Sequence, residues 1–316
     1  MPSRDIDQEL VDAADAGNDA EVSALLAQGA DPMRENSKAL FLAAYKGHEE
    51  CVRLLLTVSD PKAEDSCALR VAASNGHEKC VRMLLPVSDP KAQDSCALRV
   101  AARNGHAECV RLLMPVSDPR SCNSAALLVA AEHGHEECVM LLLPVSDPQA
   151  DDSEALLWAA QNGHAECVRL LLPVSNPKAR DSIALRWAAN NGHAECVKML
   201  IPVSDAKAED CHALRLAASN GHVECVRILL GASRPFREIG GLLKGAIDAG
   251  RAKMAALMIE EEPRLLDGIN LPKCLAAARE SGHVNLASYL SSIIDQKALS
   301  GIDQNRPASR PVAARL

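Results

Sequence analysis

The sequence predicts an all-α protein, an α-solenoid of about ten stacked helix-turn-helix units, and three observations predict it. The pair Gly-His recurs at Gly47-His48, Gly76-His77, Gly105-His106, Gly134-His135, Gly163-His164, Gly192-His193 and Gly221-His222, always 29 residues apart. Each period holds two short stretches of helical periodicity, parted by that glycine and closed by a proline. The third observation is composition. Apolar residues make up 48% of the 316, yet Phe, Tyr and Trp supply only two each. A core of Ala, Leu, Val and Cys suits closely spaced helices.

One unit, Ser95–Asn123, reads SCALRVAARNGHAECVRLLMPVSDPRSCN. Asp94 or Ser95 is the expected N-cap of its first helix, CALRVAARN. Gly105 supplies the left-handed C′ position that ends it. The second helix, HAECVRLLM, stops at Pro115, and Val-Ser-Asp-Pro turns the chain back. Neither helix buries a face alone, so the units must stack. Degenerate copies extend both ways, around Gly17, Gly250 and Gly282-His283. The expected organisation is a capping repeat over 1–36, seven 29-residue repeats over 37–235, two degenerate capping repeats over 236–295 and a disordered basic tail over 296–316.

The recurring A-L-x-x-A-A-x-x-G-H-x-x-x-V-x-x-L-L resembles the ankyrin repeat, and LLAQGADP at Leu25–Pro32 is similar to that family's unmodified unit end. The resemblance covers about nine-tenths of the chain. Two departures stand out. The unit is about four residues shorter than the family's ~33, and PVSDPKAxDS replaces the inter-repeat hairpin with prolines that cannot donate ladder hydrogen bonds. Shortened hairpins without projecting β-fingers are therefore expected. The resemblance implies a non-enzymatic scaffold that binds another protein through the concave groove of the stack. Near-identity of the central units also resembles bacterial effector arrays acting inside host cells.

A helical wheel separates core from surface. With Leu98 at zero and ~100° per residue, Ala101 and Ala102 share its side, whereas Arg99, Val100, Arg103 and Asn104 lie opposite. In an ankyrin-like stack that opposite side lines the groove. Its partner-binding residues are then Phe41, Tyr45, Arg70, Arg99, Arg103, Leu128, Glu132, His133, Leu157, Trp158, Gln161, Arg186, Trp187, Asn190 and Arg215. These positions vary more within the array than Leu98, Ala101 or Gly105 do. Trp158 and Trp187 occupy equivalent positions in adjacent units. With Leu128 and Leu157 they form an apolar centre flanked by arginines, the composition of an interface hot spot. Indoles packed between neighbouring first helices are the competing expectation, and a solvated rim is the competing one for the arginines.

Chemistry finds little support. Cys51, Cys80, Cys109, Cys138, Cys167, Cys196 and Cys225 recur three residues after the repeated histidine. A structural zinc needs four ligands at roughly 2.0–2.3 Å, whereas equivalent positions of stacked helices lie ~8–10 Å apart. The expectation is a core stripe of free thiols with no metal and no cofactor. Cys67, Cys96, Cys122 and Cys211 fall near helix starts, where thiols are more reactive. A thiol-rich redox- or metal-responsive protein is accordingly the alternative reading. A catalytic Cys-His pair would appear once with an orienting third group, not seven times in register, so no active site is expected.

The net charge of −8 disfavours nucleic acid as a partner. No apolar run approaches the ~20 residues of a membrane span, and the first nine residues show no signal-peptide pattern. Twelve cysteines without such a signal point to a reducing compartment. A cytoplasmic monomer is expected, with delivery into a host cell as the variant that the effector resemblance implies.

Overall fold

The computed structural model describes residues 5–232, 239–261, 263, 266 and 269–304. Twenty helices and no strand are found among them, and they alternate between two layers. The first-helix layer contains α1 (Ile6–Ala16), α3 (Arg34–Lys46), α5 (Ala63–Ser74), α7 (Ala92–Arg103), α9 (Ser121–Glu132), α11 (Ala150–Gln161), α13 (Ala179–Asn190), α15 (Ala208–Asn220), α17 (Ile239–Asp248) and α19 (Leu271–Glu280). The second-helix layer contains α2 (Asp19–Ala27), α4 (Glu49–Leu55), α6 (Glu78–Leu84), α8 (Ala107–Leu113), α10 (Glu136–Leu142), α12 (Ala165–Leu171), α14 (Ala194–Leu200), α16 (Val223–Ala232), α18 (Ala252–Glu261) and α20 (Val284–Gln304). Each first helix packs on its own second helix and on the first helices before and after it; the second helices form a parallel row behind. This is the expected solenoid. The segment read as a basic tail begins inside α20, which runs to Gln304, and 305–316 lie outside the described residues.

The core is one thread repeated. In α7, Ala97, Leu98, Ala101 and Ala102 are buried; in α8, Cys109, Val110 and Leu113 join them. Alanines on the first helix let its neighbours approach closely, and one leucine from each helix fills the remaining space. Hence the array needs almost no aromatic residue. On the second-helix side, exposed pairs such as Glu108 with Arg111 (3.4 Å) and Glu78 with Arg82 (2.7 Å) decorate the surface. Such pairs contribute about 0–1 kcal/mol each.

The unit joint differs from the expected N-cap. Gln93, Asp94 and Ser95 have φ of 49°, 55° and 59° with ψ between 41° and 52°, a single left-handed turn before the right-handed helix starts at Cys96. The same turn recurs at 35–37, 64–66, 122–124, 151–153 and 180–182. Each such non-glycine residue costs roughly 1–2 kcal/mol, so something must hold the turn in place. Buried Ser95 does not cap its own helix. Its Oγ accepts from the backbone N–H of Asp118 in the next unit (2.8 Å), and Ser117 Oγ donates to the carbonyl of Pro90 (3.2 Å). The seryl hydroxyls therefore bind unit to unit.

The glycines do sit where a helix must end. Gly105 has φ +76°, and the N–H of His106 closes the turn on the Ala101 carbonyl (2.9 Å). Gly105 has a second role. A Cβ built on it would lie 2.5 Å from Nδ1 of His135, the histidine of the following unit. That ring lies against the bare glycine while its Nε2–H donates to the carbonyl of Arg103 (2.9 Å). The repeated histidine thus clamps its unit to the preceding one, not its own inter-helix turn.

Candidate functional site

The outer face of the first-helix layer offers four side-chain positions per unit, and the structure treats them differently. At the first position stand Phe41, Arg70, Arg99, Leu128, Leu157, Arg186 and Arg215. Three of the arginines brace the left-handed turn of their own unit. Nη2 of Arg70, Arg186 and Arg215 donates to the carbonyl six residues earlier, at Glu64 (3.3 Å), Arg180 (2.7 Å) and Glu209 (3.2 Å). Arg186 is also paired with Glu209 of the next unit at 2.5 Å. The hydrogen bond from His212 and the Arg186 charge hold the Glu209 carboxyl below its ordinary pKa. Leu157 is buried, only 8% exposed, whereas Leu128 is half-buried.

The second position places the tryptophans. Its aliphatic members Leu42, Val71, Val100 and Val129 are partly buried and packed on the core. Trp158 is half-buried, and its Nε1–H donates to Glu154 one turn earlier (3.3 Å). Trp187 is 40% exposed. The two indoles thus differ: Trp158 is tied to its own helix, and Trp187 opens to solvent.

At the fourth position the repeat uses asparagine, and its amides are engaged. Nδ2 of Asn75, Asn104, Asn162, Asn191 and Asn220 donates to the carbonyl of Tyr45, Ser74, Glu132, Gln161 and Asn190 in the preceding unit, at 2.7–3.1 Å. Four of those carbonyls also accept Nε2–H from the clamping histidines His77, His106, His164 and His222. The fifth unit, α9 with α10, breaks the pattern. His133 replaces the asparagine and turns its Nδ1 to the Val129 carbonyl of its own helix (2.9 Å), with its ring stacked on His135 at 6.2 Å.

The third position is the most open. Tyr45 and Arg103 are exposed, and Glu132, Gln161 and Asn190 are half-buried. Tyr45 stacks on Phe41 with ring centroids 6.3 Å apart, and Lys46 Nζ lies 5.8 Å from the Tyr45 centroid. Asn190 Nδ2 donates to Asn191 Oδ1 (2.7 Å), and its own Oδ1 accepts from Asn220 (2.9 Å). The expected site is therefore spread along one face. Leu128, Trp158, Trp187, Glu132, His133 and Gln161 gather in the three units α9 to α14. Phe41 and Tyr45 form a separate aromatic pair at α3, and Leu157 is buried.

The wheel missed the unit-to-unit bonding of Ser95 and Ser117 and of the fourth-position asparagines. Their signal was the recurrence of one polar residue in most of the 29-residue units, which marks a structural duty.

The ladder cysteines are buried to 1% exposure or less. Burial pushes the thiols of Cys80, Cys109, Cys138, Cys167, Cys196 and Cys225 up to about 11. Among the described residues no group of three or more His, Cys, Asp or Glu is placed to hold a metal ion. No described helix is long and apolar enough to cross a membrane.

A family model described as ankyrin repeats (3 copies) matches residues 10–95, 98–181 and 156–237. No curated protein matches the chain.

Proposed function

Because the chain belongs to the ankyrin-repeat family, whose repeats are generally protein–protein interaction modules, we propose that it binds a partner protein through the concave face of its first-helix layer. The contact is centred on Leu128, Trp158 and Trp187. The observation that carries this reading is the exposure of Trp187, an indole at a register whose aliphatic members pack on the core. A 40% exposed indole is costly to leave in water and is a favoured interface anchor. Two units before it, the α9 unit departs from the repeat at two surface positions at once. Leu128 stands in place of arginine, and His133 in place of asparagine. Its core residues, Ala126, Leu127, Ala130 and Ala131, stay buried like those of every other unit.

Mechanism on this reading is shape and desolvation, not bond chemistry. The clamps and the seryl bonds fix each unit on the next, so the face loses little conformational entropy when a partner docks. Arg103 on one flank and Arg215 on the other suit acidic groups around an apolar segment. Leu157, being buried, is removed from the contact set, and Trp158 contributes the part of its ring not turned to Glu154.

The test compares wild type with the Trp158→Ala/Trp187→Ala variant in affinity capture, after circular dichroism shows equal helicity. A partner held by wild type and lost by the variant supports the groove. Equal capture by both proteins would place binding elsewhere.

A further inference from the structure

Seven thiols are sealed in the core, but three others line the first-helix face. Cys67 of α5 and Cys96 of α7 hold the same position in adjacent units and are half-buried; Cys122, at the start of α9, is exposed. Other units carry Lys38, Ala125, Glu154, Ile183 and His212 where these two stand, so cysteine there is not a demand of the fold. Two guanidinium groups are interleaved with the three sulfurs. Arg70 lies within electrostatic reach of Cys67 and Cys96. Arg99 Nη1 is 4.0 Å from Cys122 Sγ. Burial alone would lower the Arg70 pKa; Cys67, Cys96 and Asp65 outweigh it and leave it raised. Cys67 also borders a cleft of about 230 Å³ shared with Lys38, Leu40 and Phe41.

We propose that Cys67, Cys96 and Cys122, interleaved with Arg70 and Arg99, form a site of thiol–disulfide exchange with a small anionic disulfide. The attacking species is the thiolate. The neighbouring guanidinium offers paired donors to a carboxylate on the incoming molecule. The cysteine sulfur attacks one sulfur of the disulfide, and a new S–S bond forms as the old one breaks. The departing thiolate takes up the proton that the cysteine gave up. No other oxidant enters. Equivalent positions of stacked units lie ~8–10 Å apart, beyond the ~7 Å Cα limit for a disulfide. Cys67 and Cys96 therefore do not resolve each other, and the mixed disulfide persists. It leaves an anionic group on the face just before Leu128.

The test treats the full chain with glutathione disulfide, which is anionic, and in parallel with neutral hydroxyethyl disulfide, mapping adducts by mass spectrometry over time. Cys67, Cys96 and Cys122 should be labelled first by the anionic reagent, ahead of Cys274 and of every ladder thiol. Arg99→Gln should slow labelling of Cys122 by the anionic reagent more than by the neutral one, whereas Arg99→Lys should keep most of the rate. Circular dichroism of each variant shows whether its fold is retained. Labelling no faster than at Cys274, or unchanged by Arg99→Gln with both reagents, would overturn the proposal.

Discussion

Replacing Gly105 by alanine tests the clamp between units, and Gly221 supplies the control. Both glycines sit at left-handed φ, +76° and +81°, so alanine costs about 1–2 kcal/mol at either from backbone strain alone. Their surroundings differ. A Cβ on Gly105 would meet His135 Nδ1 at 2.5 Å, and the ring has to leave. Its departure removes the Nε2–H bond to the Arg103 carbonyl, worth about 1 kcal/mol. At Gly221 the following unit carries Arg251 where the others carry histidine, and its nearest atom would be 3.8 Å from the new Cβ, an ordinary contact. Gly105→Ala should therefore cost about 2–3 kcal/mol and Gly221→Ala about 1–2, read from urea midpoints with unchanged slopes in a single cooperative transition. The double variant Gly105→Ala/His135→Ala should be less damaged than the sum of its parts by about 1 kcal/mol or more, because the clash vanishes with the ring. Equal losses at the two glycines, or strict additivity in the cycle, would refute the clamp.

The left-handed turn reverses the usual order of substitution. Asp94→Gly should be neutral or stabilising and Asp94→Val should cost more than about 1 kcal/mol, whereas in a right-handed helix glycine would be the worse of the two; thermal melts of both variants decide. Leu157→Ala, truncating a buried side chain outside the central cluster, should cost about 2 kcal/mol, and Trp187→Ala less than about 1, in the same urea assay. Alkali should unfold the array. Six of the seven ladder thiols, all but Cys51, have folded pKa values near 11 against an ordinary value of 9.0, so their contribution is intact below pH 9 and is lost as pH rises through 9 to 11. At pH 10 each of the six forfeits about 1.4 kcal/mol, and Cys138→Ala should flatten the fall by one thiol's share.

Much of the fold was legible because it is written in residues with few alternatives. Gly105 must end a helix, Pro115 must stop one, and Leu98, Ala101 and Ala102 fall on one side of any wheel. The joints were not legible, because a wheel reports the direction of a side chain from its own axis and knows nothing of the neighbour's carbonyls. Ser95 has the composition and place of an N-cap, yet its hydroxyl serves Asp118 of the next unit across a left-handed turn. Asn104 points away from the core, as read, and is then taken up by the Ser74 carbonyl. The two tryptophans share a register but not a fate, and the difference was present in the sequence. Four residues before Trp158 stands Glu154, an acceptor one helical turn away; four before Trp187 stands Ile183, which offers none. The arginines were read as partner-binding residues, with a solvated rim as the competing expectation. Bonds to the carbonyls of Glu64, Arg180 and Glu209 make three of them braces as well.

The partner-binding claim is tested most directly by where a bound partner touches the array. A photoreactive amino acid placed at Gln161, on the proposed face, and in a second protein at Met140, 53% exposed on the second-helix side, samples the two surfaces without removing the Trp187 anchor. Irradiation in the presence of a partner retained by wild type should give a covalent adduct from position 161 and none from position 140, and Trp187→Ala should abolish it. An adduct from position 140 with none from 161 would contradict the assignment of function to the first-helix face.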